Sequence, residues 1–180
     1  MDRMFKIKAD HKDLRFVVER DEHLPDTVVF DALRLQQIIS NFISNSLKFT
    51  EQGTITFKVQ LMETGVKGFL IRFTVTDTGI GIREDHLPKI FQAFEQGDGA
   101  ITKRYGGTGL GLAIVKRLSE LLNGELGAHS EVGKGSSFFF EGWIGKRETE
   151  APKKPNEPYI NFPKLPVIRI PGAEYNEPNA

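Results

Sequence analysis

The chain has 180 residues, enough for one domain with a substantial core, and its 39% hydrophobic and 27% charged content is that of an ordinary globular protein. Lys+Arg and Asp+Glu both number 24, so the formal net charge is zero, which argues against the strongly basic face that nucleic-acid binding needs. Cysteine is absent, which excludes disulfides, thiol nucleophiles and zinc–thiolate centres. No apolar run approaches the roughly 20 residues that span a bilayer. The opening Met1-Asp-Arg-Met-Phe-Lys-Ile-Lys8 is too charged for a signal peptide. The expectation is a cytoplasmic chain without direct membrane insertion, although a longer parent protein could carry an anchor.

In chain order, residues 14–19 read as a strand, and Asp31 as the N-cap of a helix running from Ala32 to Phe49. Gly53 turns the chain into an alternating, β-branched strand, Thr54–Leu61, which connects like a hairpin to a second strand, Phe69–Thr76. A short helix is expected from Arg83 to Phe91, an irregular loop over Gln96–Gly107, and a long helix from Gly109 to Leu122. Two strands, 124–130 and 136–144, close the domain around Gly133-Lys-Gly135. From residue 147 the proline-rich character signals a linker or tail, so the division is 1–146 for the domain and 147–180 for the tail. This order implies a two-layer α/β sandwich: one mixed, mostly antiparallel sheet with helices on one face.

Three features carry candidate chemistry. On the first long helix Leu35, Ile38, Ile39, Phe42, Ile43 and Leu47 fill one arc, while Asn41, Asn45 and Lys48 share the opposite face at i, i+4 and i+7. That face is either plainly solvated or a set of amide oxygens and an ammonium aimed at a cation and phosphates; asparagine is a mediocre helix former, and a solvated face is better served by lysine or glutamate. Asp77, at the end of a strand before Thr78-Gly79-Ile80-Gly81, is either a turn cap or an acceptor for an amino group such as adenine N6. The run Gly106-Gly107-Thr108-Gly109-Leu110-Gly111 opens directly into a helix, where bare backbone N–H groups and the helix dipole suit a phosphate chain; the competing reading is a flexible hinge ending in a helix cap. It is not a P-loop or a dinucleotide fingerprint. Gly127 and Gly133-Lys134 are spaced by five residues rather than four, and position 112 is leucine where the fingerprint needs glycine.

These segments follow a recognisable order. Residues 41–50, Asn-Phe-Ile-Ser-Asn-Ser-Leu-Lys-Phe-Thr, resemble the N box of histidine-kinase ATP-binding domains, and Asp77–Gly81 resembles their first glycine box. Phe91-Gln-Ala-Phe94 resembles the F box, Gly107–Leu112 the second glycine box, and Gly133-Lys-Gly-Ser-Ser137-Phe the closing glycine motif. The resemblance covers residues 14–144 and implies the Bergerat ATP-binding fold of the GHKL superfamily, here as the C-terminal catalytic domain of a sensor kinase. It implies ATP and Mg²⁺ as cofactors. Asn45 would ligate Mg²⁺ with Asn41 beside it, Lys48 would meet the phosphates and Phe49 would border the base. Asp77 would take adenine N6, and Gly79 and Gly81 would turn against the ring. Gly107, Thr108, Gly109, Leu110, Gly111 and Leu112 would form a lid hinge and phosphate cradle, and Ser137 in the closing motif would complete the binding set. Phe91 and Phe94 read as packing. None of His11, His23, His86 and His129 sits in an acceptor-like helical hairpin. The phosphoacceptor hairpin is therefore expected elsewhere, on a parent chain or a separate one. A response regulator or receiver domain would be the downstream partner, the tail leading to the latter in a hybrid kinase. Three rivals share the fold: a topoisomerase- or chaperone-type ATPase, an anti-sigma-factor-like serine kinase, and a regulatory module that binds nucleotide without transfer.

Overall fold

The computed structural model describes residues 2–66, 68–92, 109–146 and 159–161. Three helices, α1 (Asp2–Asp10), α2 (Ala32–Phe49) and α3 (Gly111–Leu121), accompany seven strands: β1 (Arg15–Arg20), β2 (Thr27–Val29), β3 (Thr54–Thr64), β4 (Gly68–Asp77), β5 (Glu125–Glu131), β6 (Gly135–Lys146) and β7 (Tyr159–Asn161). The strands form one sheet in the order β1-β3-β4-β6-β2-β7, with β5 also paired to β6. Among the described strands only the β1–β3 ladder is parallel. A parallel pair needs a long crossover, and the chain between β1 and β3 supplies it by way of β2 and α2. The expected mixed, mostly antiparallel sheet is therefore present.

Strand alternation sets the layers. Ile55 and Val59 on β3, Ile71, Phe73 and Val75 on β4, and Phe138, Phe140 and Ile144 on β6 are buried on one face. Against them α2 lays Leu35, Ile38, Ile39, Phe42, Ile43 and Leu47, the arc read from the sequence. The other face carries Lys58, Arg72, Thr74, Glu141 and Trp143, with Arg72 Nε donating to Glu141 at 2.7 Å. Phe42 stacks on Phe138 at 5.6 Å, which locks α2 to the central strands. Helix α2 begins at its expected cap, the Asp31 carboxylate accepting from Arg34 N at 3.0 Å.

Several expectations are corrected. The short helix over Arg83–Phe91 is reduced to turns and a single 3-10 turn at Leu87–Lys89, because Pro88 lacks the N–H that a longer helix requires. Helix α3 starts at Gly111, not Gly109, since Gly109 has φ +68°, outside the right-handed helical region. Two elements have too few residues for a readable period: β2, and β7 within the proline-rich stretch, where no strand was expected. Helix α1 has no readable apolar stripe: among its described side chains only Phe5 and Ala9, one turn apart, are buried, while Met4 and Ile7 are exposed. Among the described residues no helix is long and apolar enough to cross a membrane.

Candidate functional site

The C-terminal half of α2, the end of β4 with its following loop, the first turn of α3 and the β5–β6 turn meet at one end of the sheet. Asp77 closes β4 and is only 5% exposed. Its Oδ1 accepts from Gly79 N at 2.9 Å and from Ser136 N at 3.3 Å, and its Oδ2 accepts the Ser46 hydroxyl at 3.0 Å. Burial, the dominant influence, raises its pKa above the ordinary 3.8, and the three hydrogen bonds pull in the opposite direction. An ionised carboxylate offers about four acceptor positions. Among the described residues three are filled, and one on Oδ2 is left for an amino donor.

The loop after Asp77 is fixed at both ends. Ile80 N donates to Phe49 O at 3.2 Å, Gly133 N to Ile80 O at 2.9 Å, and Ile82 N to Ser130 Oγ at 2.8 Å. A Cβ on Gly79 would lie 2.5 Å from Phe49 O, so any side chain there would push the loop off the end of α2. Gly81 has φ +70°, and its missing Cβ leaves room for the Glu131 carbonyl. The first glycine box is thus wedged between the end of α2 and the β5–β6 turn.

The polar face of α2 lies beside the start of α3. Asn41, Asn45, Lys48 and Phe49 are half-buried along α2. A Cβ on Gly111 would lie 2.5 Å from Asn41 Oδ1, so the second glycine box brings its helix start directly against the asparagine face. Leu110 gives that helix no side-chain cap, and its first backbone N–H groups have no intrahelical acceptor. Leu112 is partly buried and packs against the core. The Lys48 ammonium lies 4.7 Å from the centre of the Phe49 ring, and burial lowers its pKa. Gly107, Thr108, Phe94 and the 96–107 stretch fall outside the described residues. Phe91 meets Phe138 edge-on at 6.5 Å, the packing role expected for it. His129 stacks on Phe139, and His86 and His23 bond to their near neighbours Arg83 and Asp21.

One placement is corrected. Ser137 bonds Thr76 at 3.0 Å on the sheet face away from the helices. The serine beside Asp77 is Ser136. The alternation of β6 carried this information: with Phe138 and Phe140 turned inward, Ser136 must be inward and Ser137 outward. Ser46 was also missed, yet it interrupts the apolar arc of α2 one turn after Phe42, and a polar residue in such an arc needs a buried partner.

A model of the family described as histidine kinase-, DNA gyrase B- and HSP90-like ATPase matches residues 30–143. The chain belongs to this family. Its relatives include the sensor histidine kinase GacS of Pseudomonas protegens, 40% identical over 152 residues that make up 84% of this chain and 16% of the relative. The histidine-protein kinase BarA of Escherichia coli K12 is 42% identical over 129 residues, 72% of this chain and 14% of the relative. The chain therefore spans only about a sixth of the curated relatives it matches. Among solved structures, full-length ShkA in complex with AMPPNP superposes with a TM-score of 0.69 at 35% identity, covering 80% of this chain and 28% of that one. The nucleotide-free catalytic domain of the histidine kinase ThkA does so at 0.63 and 26%, covering 78% and 87%. The family match takes in α2, the Asp77 loop and α3, and so every candidate residue named above. The domain is of the ATP-binding catalytic type found in sensor histidine kinases.

Proposed function

We propose that this domain binds Mg·ATP in the cleft and donates the γ-phosphate to a histidine on a separate helical hairpin, as one step of two-component signalling. The carrying observation is Asp77, a buried carboxylate held by Gly79, Ser136 and Ser46 with one acceptor position left over. That position fits the N6 amino group of adenine, and an acceptor at such depth rejects a keto oxygen. Phe49 borders the base. The Asn41–Gly111 contact and the uncapped start of α3 fit a phosphate chain.

The residues divide the work. Asp77 and the Gly79–Gly81 loop orient the base. Asn45, with Asn41 beside it, offers neutral amide oxygens to the metal ion, and Lys48 adds positive charge beside the phosphates. Gly109, Leu110 and Gly111 present the helix N–H groups, with Gly107 and Thr108 as the adjoining hinge. When bound, the ion would supply charge neutralisation at the transferring phosphoryl group. Because the asparagine amides carry no charge, the metal depends on the phosphates for tight binding. Asn41 stands one turn before Asn45, where the fold's ATPases carry a glutamate base; an amide cannot take a proton from water, which favours transfer over hydrolysis.

The test is incubation with γ-labelled ATP and candidate acceptor hairpins. Acid-labile, base-stable label on a hairpin histidine is expected. Tight ATP binding without transfer to any hairpin, or steady ATP hydrolysis by the chain alone, would overturn the kinase reading.

A further inference from the structure

Ser130, on β5, lies opposite Ser136 across the ladder. Its hydroxyl makes three contacts: it donates to Gly135 O at 2.8 Å, accepts from Ile82 N at 2.8 Å, and meets Ser136 Oγ at 2.9 Å. A serine hydroxyl has one proton and two lone pairs. Gly135 O can only accept, so it takes the proton, and Ile82 N–H occupies one lone pair. The remaining lone pair can be satisfied only by the Ser136 proton. The Ser136 hydroxyl is thereby held pointing at Ser130, and among the described residues no donor reaches its own lone pairs. Ser136 is 8% exposed, and its backbone N–H binds Asp77.

We infer that Ser130 is a positioning residue for purine selection: by fixing the Ser136 proton it makes Ser136 a second acceptor beside Asp77, so that the pair selects an exocyclic amino group over a keto oxygen. This rests on the nucleotide reading above and deepens it. Hypoxanthine reverses the pattern of adenine, with a keto O6 and an N1–H donor. In the wild-type chain its O6 meets the Ser136 lone pairs. Once the Ser136 hydroxyl can rotate, it donates to O6 while N1–H donates to Asp77.

The experiment measures Mg·ATP and Mg·ITP affinities by calorimetry for the full chain and its Ser130 variants. The wild type is expected to prefer ATP by at least about tenfold. Ser130→Ala should narrow that ratio about three- to tenfold, chiefly through tighter ITP binding, the worth of about one hydrogen bond. Ser130→Thr keeps the hydroxyl and should keep the ratio. Loss of the Ile82 tether alone would weaken both nucleotides alike, so an unchanged ratio in Ser130→Ala overturns the inference, as does a wild type with no preference. Should Ser130→Ala fail to fold, Ser130→Cys, similar in size but a weak donor, should narrow the ratio partially, and an unchanged ratio there has the same meaning. A wild-type chain that binds neither nucleotide sinks the nucleotide reading itself; one that prefers ATP with no response at Ser130 sinks only this inference.

Discussion

The two ends of the cleft are built on different principles. Around Asp77, Ser46, Ser136 and Gly79 hold the carboxylate, and the loop that follows is wedged between the Phe49 and Glu131 carbonyls. Around Asn41 and Gly111 there is close approach, Leu110 supplies no side-chain cap, and the first helix N–H groups have no intrahelical acceptor. A neutral, shape-defined base is best recognised by groups already in place, since any freedom there costs specificity. A highly charged phosphate chain brings its own organising field, and dipoles left open are enough to receive it.

Breaking each end should give distinct signatures. The largest effect is expected for Asn45→Ala, at the phosphate end: transfer should fall by about 10²–10³, the usual scale for removing one preorganised charge-stabilising group, while nucleotide affinity falls much less. Single-turnover labelling alongside calorimetry checks this; equal losses in both would erase the distinction between the ends. Asp77→Asn attacks the base end and should weaken ATP binding about tenfold or more, because one amide cannot accept from three donors and an amino group together. Unchanged affinity in titration would remove Asp77 from the base site.

Gly111→Ala should do less. Alanine is the better helix former, and the clash is with a side chain that can turn away, so the melting temperature should hold while displaced Asn41 lowers transfer several-fold. An unaltered rate would show that Asn41 and Gly111 do not act together. Omitting nucleotide sharpens the same end: Mg²⁺ alone should give no calorimetric signal at sub-millimolar concentration, whereas Mg·ATP should.

The smallest effect concerns pH. Burial raises the folded-state pKa of Asp77 above its unfolded value, so the folded state holds that proton more tightly. Its contribution to apo stability is full below about the ordinary 3.8 and is lost as pH rises through the folded pKa. ATP binding has the opposite sign, since the amino donor needs the ionised form, and should weaken as pH falls through that pKa. Denaturant melts of wild type and Asp77→Asn across this window should differ by a shallow slope, absent from the variant.

Much of this architecture was legible in the residues. The apolar arc of α2, its Asp31 cap and the alternation of β3, β4 and β6 are local, periodic signals, and they placed both the sheet and the asparagine face. The motif order pointed to the α2–Asp77–α3 region as the candidate site. Helix α1, β2 and β7 were not legible, because each is held by one or two buried side chains or by a neighbour's free edge. The motif's letters pointed to Ser137, whereas strand parity puts Ser136 beside Asp77 and Ser137 on the opposite face.

What the amino-acid order determined by itself was which elements form and which residues bear chemistry, since periodicity, capping and glycine placement act within a few residues. Tertiary structure alone decided which groups meet. Asp77 and Ser46 are 31 positions apart in the chain, and Ser136 lies 59 beyond Asp77. Whether the carboxylate ends in a solvated turn or beneath three donors depends on the register of β4 against β6 and on the angle at which α2 crosses them. Those quantities are fixed by packing the whole core, and no local run of residues specifies them.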